Sequence, residues 1–308
     1  MRCLVLGGRG FVGRRLTSAL LGQGHRVRVF DLPDPMAEAE LVEQGAEFIA
    51  GDFLNFADLL PALDDCAVVF HLLATMLPKS SNDNPLGDAS GNILGTLSML
   101  DVVARMRGVR VIFASSGGTI YGAPLTLPIA EDHPTNPLCA YGISKLAIEK
   151  YLALYAGLHG LDYRVLRVAN LYGEGQSPFR GQGAIAVFAY LALQGRPIEI
   201  WGDGTVVRDY LHVDDATQAF LAAMAHTGPE RVFNAGSGQG HSLNELIGLL
   251  ERVLGRQVVR TYREARGFDV GANVLDCSRA RSALAWAPQV DLAAGIERTV
   301  RWLGRARA

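Results

Sequence analysis

Cysteine is scarce in this chain of 308 residues, and none of it is spaced as a pair. Cys3, Cys66, Cys139 and Cys277 are far apart, with no C-x-x-C among them. That excludes a zinc ribbon and argues against a disulfide framework, so reduced thiols in a cytoplasmic protein are expected. Charge of one sign is also lacking: 29 Lys and Arg stand against 31 Asp and Glu, a formal net charge of -2. This balance gives no electrostatic reason to expect nucleic acid or an anionic membrane surface as partner. Small anions stay open, because local arginines bind them whatever the net charge. No apolar run is long enough to span a bilayer. The opening M-R-C-L-V-L-G-G reads as a strand broken by glycines, too short for a secretory signal. The seven histidines show no H-E-x-x-H or similar ligand spacing, so metal catalysis has no support. Internal repeats and low-complexity segments are missing too.

What is present suits a soluble globular protein of one large or two smaller domains, 49% hydrophobic and 19% charged. Short apolar runs at 2–6, 26–31, 68–73, 109–114 and 163–168 read as buried strands. Helical patterns at 11–22, 92–106 and 141–155 alternate with them. Such alternation predicts an α/β fold, a doubly wound parallel sheet with helices on both faces. After about residue 170 the pattern loosens. A loop at 172–183 leads to a helix at 184–194, a strand at 198–200 and helices at 213–226 and 242–254. Ser242 and Glu245 form a capping box for the last of these. A final helix ends near Trp302. The expected division is a first domain over 1–170, with later segments returning to it, and a smaller mixed α/β C-terminal region over 171–308.

Between the first strand and helix stands G-G-R-G-F-V-G at 7–13, which contains both G-x-G-x-x-G and G-x-x-G-x-x-G. Glycine permits the tight turn and lets backbone N–H groups approach a pyrophosphate at a helix N-terminus. Strand before, helix after and Asp31 at the end of the second strand complete a dinucleotide fingerprint. Asp31 can accept hydrogen bonds from both ribose hydroxyls and would repel a 2′-phosphate, which favours NAD over NADP. Arg9 and Arg28 are nearby cations that could soften this preference. Asp52, in G-D-F-L, either contacts the adenine amino group or caps a helix.

Tyr141 and Lys145 lie four residues apart on one helical face. A tyrosine ordinarily titrates near about 10, and a neighbouring ammonium lowers that by favouring phenolate. The pair therefore reads as a neutral-pH acid/base.

With G-D-F at 51–53, H-L-L-A at 71–74, N-I-L-G-T at 92–96, S-S-G-G-T-I-Y-G at 115–122, Y-G-I-S-K at 141–145, L-R-V-A-N-L-Y-G at 166–173, R-D-Y-L-H-V-D-D at 208–215 and R-G-F-D at 266–269, almost the whole chain resembles the extended short-chain dehydrogenase/reductase family, in particular its nucleotide-sugar epimerases. The resemblance implies a Rossmann-type domain holding NAD tightly and a smaller domain clamping a UDP-sugar. NAD contacts would come from Gly7, Gly10, Phe11, Val12, Gly13, Asp31, Asp52, Phe53, Leu72, Ala74, Asn92 and Val168, with Tyr141 and Lys145. Tyr141 would take the proton of the sugar 4-hydroxyl while hydride passes from C4 to the nicotinamide, and Lys145 would bind the ribose and tune Tyr141. Thr75, Asn170, Arg208 and Arg266 would surround the sugar and diphosphate, and Asp269 would contact the uridine ribose or orient Arg266. Arg208 also admits a plain ion pair with Asp209 or Asp214. The helices at 92–106 and 141–155 match the pair that family members pack into a homodimer.

One hydroxyl departs from the family pattern. Counted back from Tyr121, the usual Ser or Thr register falls on Gly117. Ser116 and Thr119 are the possible replacements, with Thr119 favoured because the glycine pair lets the backbone turn; Tyr141 acting alone is the remaining option. Gly118 and Thr119 stand where sugar dehydratases of the family place an Asp–Glu pair, which restricts the chemistry to oxidation and re-reduction at one carbon. The seventh residue after Arg266 is Asn273, smaller than the tyrosine that walls the sugar pocket in UDP-hexose epimerases, so an N-acetylhexosamine is expected to fit; the alternative is that Asn273 only satisfies a loop backbone. Two rival readings remain: a reductase of a nucleotide-linked 4-keto sugar that exchanges its cofactor, and a non-enzymatic dinucleotide sensor. His71 is expected to pack beneath the cofactor.

Overall fold

A computed structural model describes residues 1–76, 78–179, 183–264 and 270–305. Its first half runs β1 (Arg2–Leu6), α1 (Phe11–Gly22), β2 (Arg26–Asp31), α2 (Pro35–Glu43), β3 (Glu47–Ala50), α3 (Phe56–Leu63), β4 (Val68–His71), α4 (Pro78–Asp83), α5 (Pro85–Asp88), a π-wound stretch (Ala89–Leu94), α6 (Gly95–Val103), β5 (Arg110–Ser116), α7 (Ala140–His159) and β6 (Asp162–Val168). The second half runs β7 (Asn170–Tyr172), α8 (Ala184–Leu193), β8 (Ile198–Trp201), β9 (Val207–His212), α9 (Val213–Ala225), β10 (Val232–Ala235), β11 (Gly240–Ser242), α10 (Leu243–Leu254), β12 (Arg260–Arg263), β13 (Ala272–Asn273), α11 (Ser278–Leu284) and α12 (Leu292–Arg305).

Seven strands form one parallel sheet in the order β10-β6-β5-β4-β1-β2-β3. Both faces are covered, and the pleat divides β1 between them. Cys3 and Val5 enter the core that includes Leu16, Phe220 and Phe233. Leu4 and Leu6 enter the opposite core with Phe30, Phe113 and Ile148. This explains why the strands read as continuous apolar runs rather than alternating ones. The chain winds outward from β1 to β3, then returns past it to β4, so the order reverses between β1 and β4. Ligands of doubly wound sheets bind at such a switch point, beyond the carboxyl ends of the strands. This is a Rossmann-type fold.

The remaining strands build two small sheets, β11-β9-β13 with β7 on β9, and β12-β8. They pack with α8, α10 and α12 around a third core containing Tyr172, Phe188, Ile200 and Ile296. Ser242 and Glu245 form the expected capping box. The helix expected over 92–106 is in fact a π-wound turn followed by a shorter α6. There a Cβ on Gly95 would lie 2.7 Å from the Phe53 ring. β9 and β10 went unread in the sequence. β10 is only four residues long, and its place at the sheet edge is set by α9, which returns the chain there.

Candidate active site

A cavity of about 830 Å3 opens above the carboxyl ends of β1, β2, β4, β5 and β6 and extends to β8 and β9. At one end lies the glycine turn. Gly7 has φ +85°, a region in which a side chain is strained. Gly10 donates its N–H to the Gly7 carbonyl at 3.0 Å. A Cβ on Gly13 would stand 2.2 Å from that same carbonyl oxygen, and one on Gly8 would stand 2.5 Å from Val29. α1 starts directly behind this turn with no side-chain cap and no acidic residue in its first turn. First-turn amides have no acceptor within their own helix, so Phe11, Val12 and Gly13 present N–H groups and a positive helix end to the cavity. A helix start of this kind suits a pyrophosphate.

Asp31 closes β2 at the cavity edge. Its carboxylate accepts from the Arg9 N–H at 3.0 Å and the Leu32 N–H at 2.9 Å, which fixes its direction. The Arg9 guanidinium stands beside it at 3.6 Å and also meets Asp34. Arg28 is turned the other way, onto the carbonyls of Pro61, Ala62 and Asp64 and the Glu47 carboxylate, so it does not soften the site's preference. Asp52 accepts from the Leu54 N–H at 2.9 Å and lines the cavity. The cap of α3 is Asn55 instead. Phe53, Leu72, Ala74, Thr75 and Val168 also line the cavity. Asn92 does not. It is buried, accepting from the Thr75 N–H at 2.9 Å and donating to Asp88 at 2.9 Å, and so supports the wall from behind.

At the reacting end, Tyr141 and Lys145 stand in the first two turns of α7. Cys139 precedes this helix without a side-chain cap. The cap comes from α4 instead: Asn82 Oδ1 accepts from the Ala140 N–H at 2.9 Å and Ser81 Oγ from the Tyr141 N–H at 3.0 Å. Ser144 donates to Asp88 in the same region. Lys145 Nζ lies 4.7 Å from the Phe113 ring centre and 5.6 Å from that of Tyr141, and donates to the Leu73 carbonyl at 3.4 Å. Burial pulls the Lys145 ammonium down to about 8, against the pull of Asp88 and Glu149. Burial, then Cys139 and Asp88, raise the Tyr141 phenol well above its ordinary value. Phenolate here therefore depends on cations close to the ring. His71 lies beneath, between the rings of Phe53 and Phe113 at 5.4 and 5.3 Å. Its Nε2 meets Thr96 Oγ1, which donates to the Asn92 carbonyl. Burial, then Lys145, lowers His71 to about 3, so it is neutral.

The glycine pair divides its two positions between cavity and core. A Cβ on Gly117 would meet Leu275 Cδ1 at 2.5 Å and the Arg167 carbonyl at 3.0 Å, whereas one on Gly118 would find nothing closer than 3.8 Å. Ser116, Gly118 and Thr119 all line the cavity. Thr119 Oγ1 is buried and has no partner among the described residues. Its Cβ packs on the first turn of α7, 3.2 Å from where a Cβ on Gly142 would stand.

Asn170 and Arg208 line the far part of the cavity. Asn170 donates to the Asp209 carbonyl at 3.1 Å. Arg208 donates to the carbonyls of Val207 and Val270 at 2.9 and 2.7 Å. Asp209 is occupied by Ser237, Gly238 and Leu275, and Asp214 by Arg298. Arg266 and Asp269 lie outside the described residues. Asn273 is buried on β13 and is not among the cavity-lining residues; its Nδ2 donates to the Gly117 carbonyl at 3.0 Å. Phe188 and Trp201 line this end and went unnoticed in the sequence. The only signal for Trp201 was an aromatic at the end of a short strand, next to G-D-G.

Residues 3–236 match the NAD dependent epimerase/dehydratase family. The UDP-glucose 4-epimerase of Mycolicibacterium smegmatis is 39% identical over 309 residues, covering 98% of each chain. The UDP-glucose 4-epimerase of Thermotoga maritima, solved with UDP-glucose, is 36% identical with a TM-score of 0.94 over 100% of both chains. That of Thermus thermophilus, solved with NAD, is 32% identical with a TM-score of 0.92, over 99% of this chain and 100% of its own.

Proposed function

Since the chain belongs to the NAD dependent epimerase/dehydratase family, we propose that it is an NAD-dependent epimerase that inverts C4 of a UDP-sugar through a transient 4-keto sugar. The observation that carries this reading is the placement of Tyr141 and Lys145 on one cavity wall, in a cavity that also contains the uncapped start of α1. Bound NAD supplies an acceptor and donor of hydride at C4. The amides of Phe11, Val12 and Gly13 bind its pyrophosphate, and Asp31 accepts from its ribose hydroxyls. Tyr141 takes the proton of the sugar 4-hydroxyl and returns one to the 4-keto oxygen. Lys145 keeps the phenolate accessible by its charge and holds the nicotinamide ribose. The orphaned Thr119 hydroxyl, rather than a residue at 117, hydrogen-bonds the reacting oxygen, and Ser116, also on the cavity wall, is the alternative donor. Arg208 and Asn170, with Arg266 and Asp269, hold the diphosphate and uridine, the guanidinium forks pairing with phosphate oxygens.

UDP-glucose and UDP-galactose are the proposed pair. The size of Asn273 gives no support for an N-acetylhexosamine, because its side chain reaches Gly117 from behind the wall. Residues 1–170, with α9 and β10 returning, form the NAD-binding part, and most of 171–308 the sugar-nucleotide part. Leu94, Ile143, Leu154 and Leu158 are exposed on the π-wound turn and α7, and two copies of the chain bury them in a homodimer. Four free cysteines and a UDP-sugar substrate fit a cytoplasmic enzyme. The test is proton NMR of UDP-glucose with the purified protein and no added cofactor. UDP-galactose signals are expected, and Tyr141→Phe should abolish them. An unchanged spectrum, with no NAD released on denaturing the protein, would refute the proposal.

A further inference from the structure

Glu149 and Arg167 take no part in the chemistry above, yet they form an ion pair with side chains only 5% and 7% exposed. Among ion pairs between described residues, no other has both partners so enclosed. Glu149 follows Lys145 by one turn of α7, as Lys145 follows Tyr141. Arg167 sits on β6, next to Val168 in the cavity wall. Its Nε lies 3.2 Å from each Glu149 oxygen and its Nη2 lies 2.7 Å from Oε2. Ser115, at the end of β5, donates to Oε1 of the same carboxylate. The other arm, Nη1, donates to the Tyr121 hydroxyl at 3.0 Å and the Glu131 carbonyl at 2.9 Å. Tyr121 in turn donates to Asn234 on β10 at 2.7 Å.

The ion pair thus ties three separate pieces of the active site: its carboxylate sits on α7 with Tyr141 and Lys145 and accepts from Ser115 at the end of β5, and its guanidinium holds Tyr121 and Glu131 of the loop that follows β5. Stability alone is a poor reason for this arrangement, since well-packed apolar residues commonly replace a buried ion pair without loss. The fork supplies direction, which an apolar contact or a lysine point charge does not. We infer that Arg167 and Glu149 are positioning residues for the reaction, holding Tyr141 and Lys145 in register with the Ser116–Thr119 turn. The inference rests on the proposed role of Tyr141.

The test uses the NAD-loaded enzyme and steady-state kinetics with UDP-glucose. Arg167→Lys keeps the charge but cannot reach Glu149, Tyr121 and Glu131 together. It should lower kcat by about 10- to 100-fold, with KM within about threefold and NAD content per chain unchanged. Arg164→Lys is the control. Arg164 is on the same strand and only 1% exposed, but its guanidinium holds Asp162 and the His226 and Gly228 carbonyls at the far end of the sheet. It should melt at lower temperature with kcat within about twofold of the parent. Wild-type kcat in Arg167→Lys, or an equal loss in both variants, would overturn the inference. Should Arg167→Lys fail to fold, Tyr121→Phe removes the acceptor of Nη1 and the donor to Asn234 and leaves the ion pair whole. It should lower kcat by about three- to tenfold at unchanged KM, and no change would overturn the inference. Wild-type turnover in Tyr141→Phe would instead remove the reading beneath it.

Discussion

Serine at position 117 and serine at position 118 should behave as opposites. A Cβ on Gly117 would come within 2.5 Å of Leu275 Cδ1 and 3.0 Å of the Arg167 carbonyl. Leu275 is fully buried, and its own N–H donates to Asp209 at 3.3 Å, so the backbone behind it is tied. Overpacking of this kind costs about 1–3 kcal/mol. Gly117→Ser should therefore lose about 1–3 kcal/mol, and its melting temperature should fall by about 3–8 °C. At Gly118 the nearest atoms are Asn170 Nδ2 and Oδ1 at 3.8 Å and Ser116 Oγ at 3.9 Å, ordinary contacts at the edge of the cavity. Gly118→Ser should stay within about 0.5 kcal/mol of the parent. Thermal melts of the two NAD-loaded variants, followed by far-ultraviolet circular dichroism, decide the matter. If Gly117→Ser melts with the parent while Gly118→Ser is the weaker protein, the assignment of 118 to the cavity and 117 to the core is wrong.

Gly13→Ala places a methyl about where the Gly7 carbonyl stands; the purified variant should carry little or no NAD, and full occupancy by absorbance would contradict pyrophosphate binding at this helix start. His71 titrates near 3 in the folded protein and near about 6.5 when unfolded, so between these values only the unfolded chain takes up the proton. Stability should fall as pH drops through that window, by about 2–3 kcal/mol between pH 6 and 4 from this group. His71→Phe should flatten that part of a urea-unfolding series, and a slope equal to the parent's would rule the group out. Arg298 donates to Glu174 and Asp214 at 2.8 and 2.5 Å while about a third exposed. Arg298→Met should cost about 1 kcal/mol, shrinking in high salt. A salt-independent difference would mean that packing, not charge, is lost.

The Rossmann half of the fold was legible because its signals are local. Buried parallel strands are short apolar runs, and the glycine turn and the Tyr141–Lys145 pair are fixed by spacing along one chain segment. What escaped reading depends on distant partners. β10 is too short to announce itself, and its pairing with β6 exists only because α9 brings it there. Gly117 and Gly118 are identical letters, and only Leu275, far along the sequence, makes one face the core. Counting from Arg266 puts Asn273 at the cavity, but on β13, paired with β9, its amide donates to the Gly117 carbonyl. Phe188 reaches the cavity from the third core and Trp201 from the exposed end of β8, for which no motif gave a register.

The borrowed cap of α7 makes one amide proton informative. An ordinary helix start is held by its own preceding residue and frays alone. Here the Tyr141 N–H is held by Ser81, sixty positions earlier, so it exchanges with solvent only when α4 lifts away or the whole domain opens. Deuterium uptake at Tyr141 therefore reports the docking of α4. If ligand seats α4 more firmly, that single amide should slow on binding, whereas those in the middle of α7 should exchange as before.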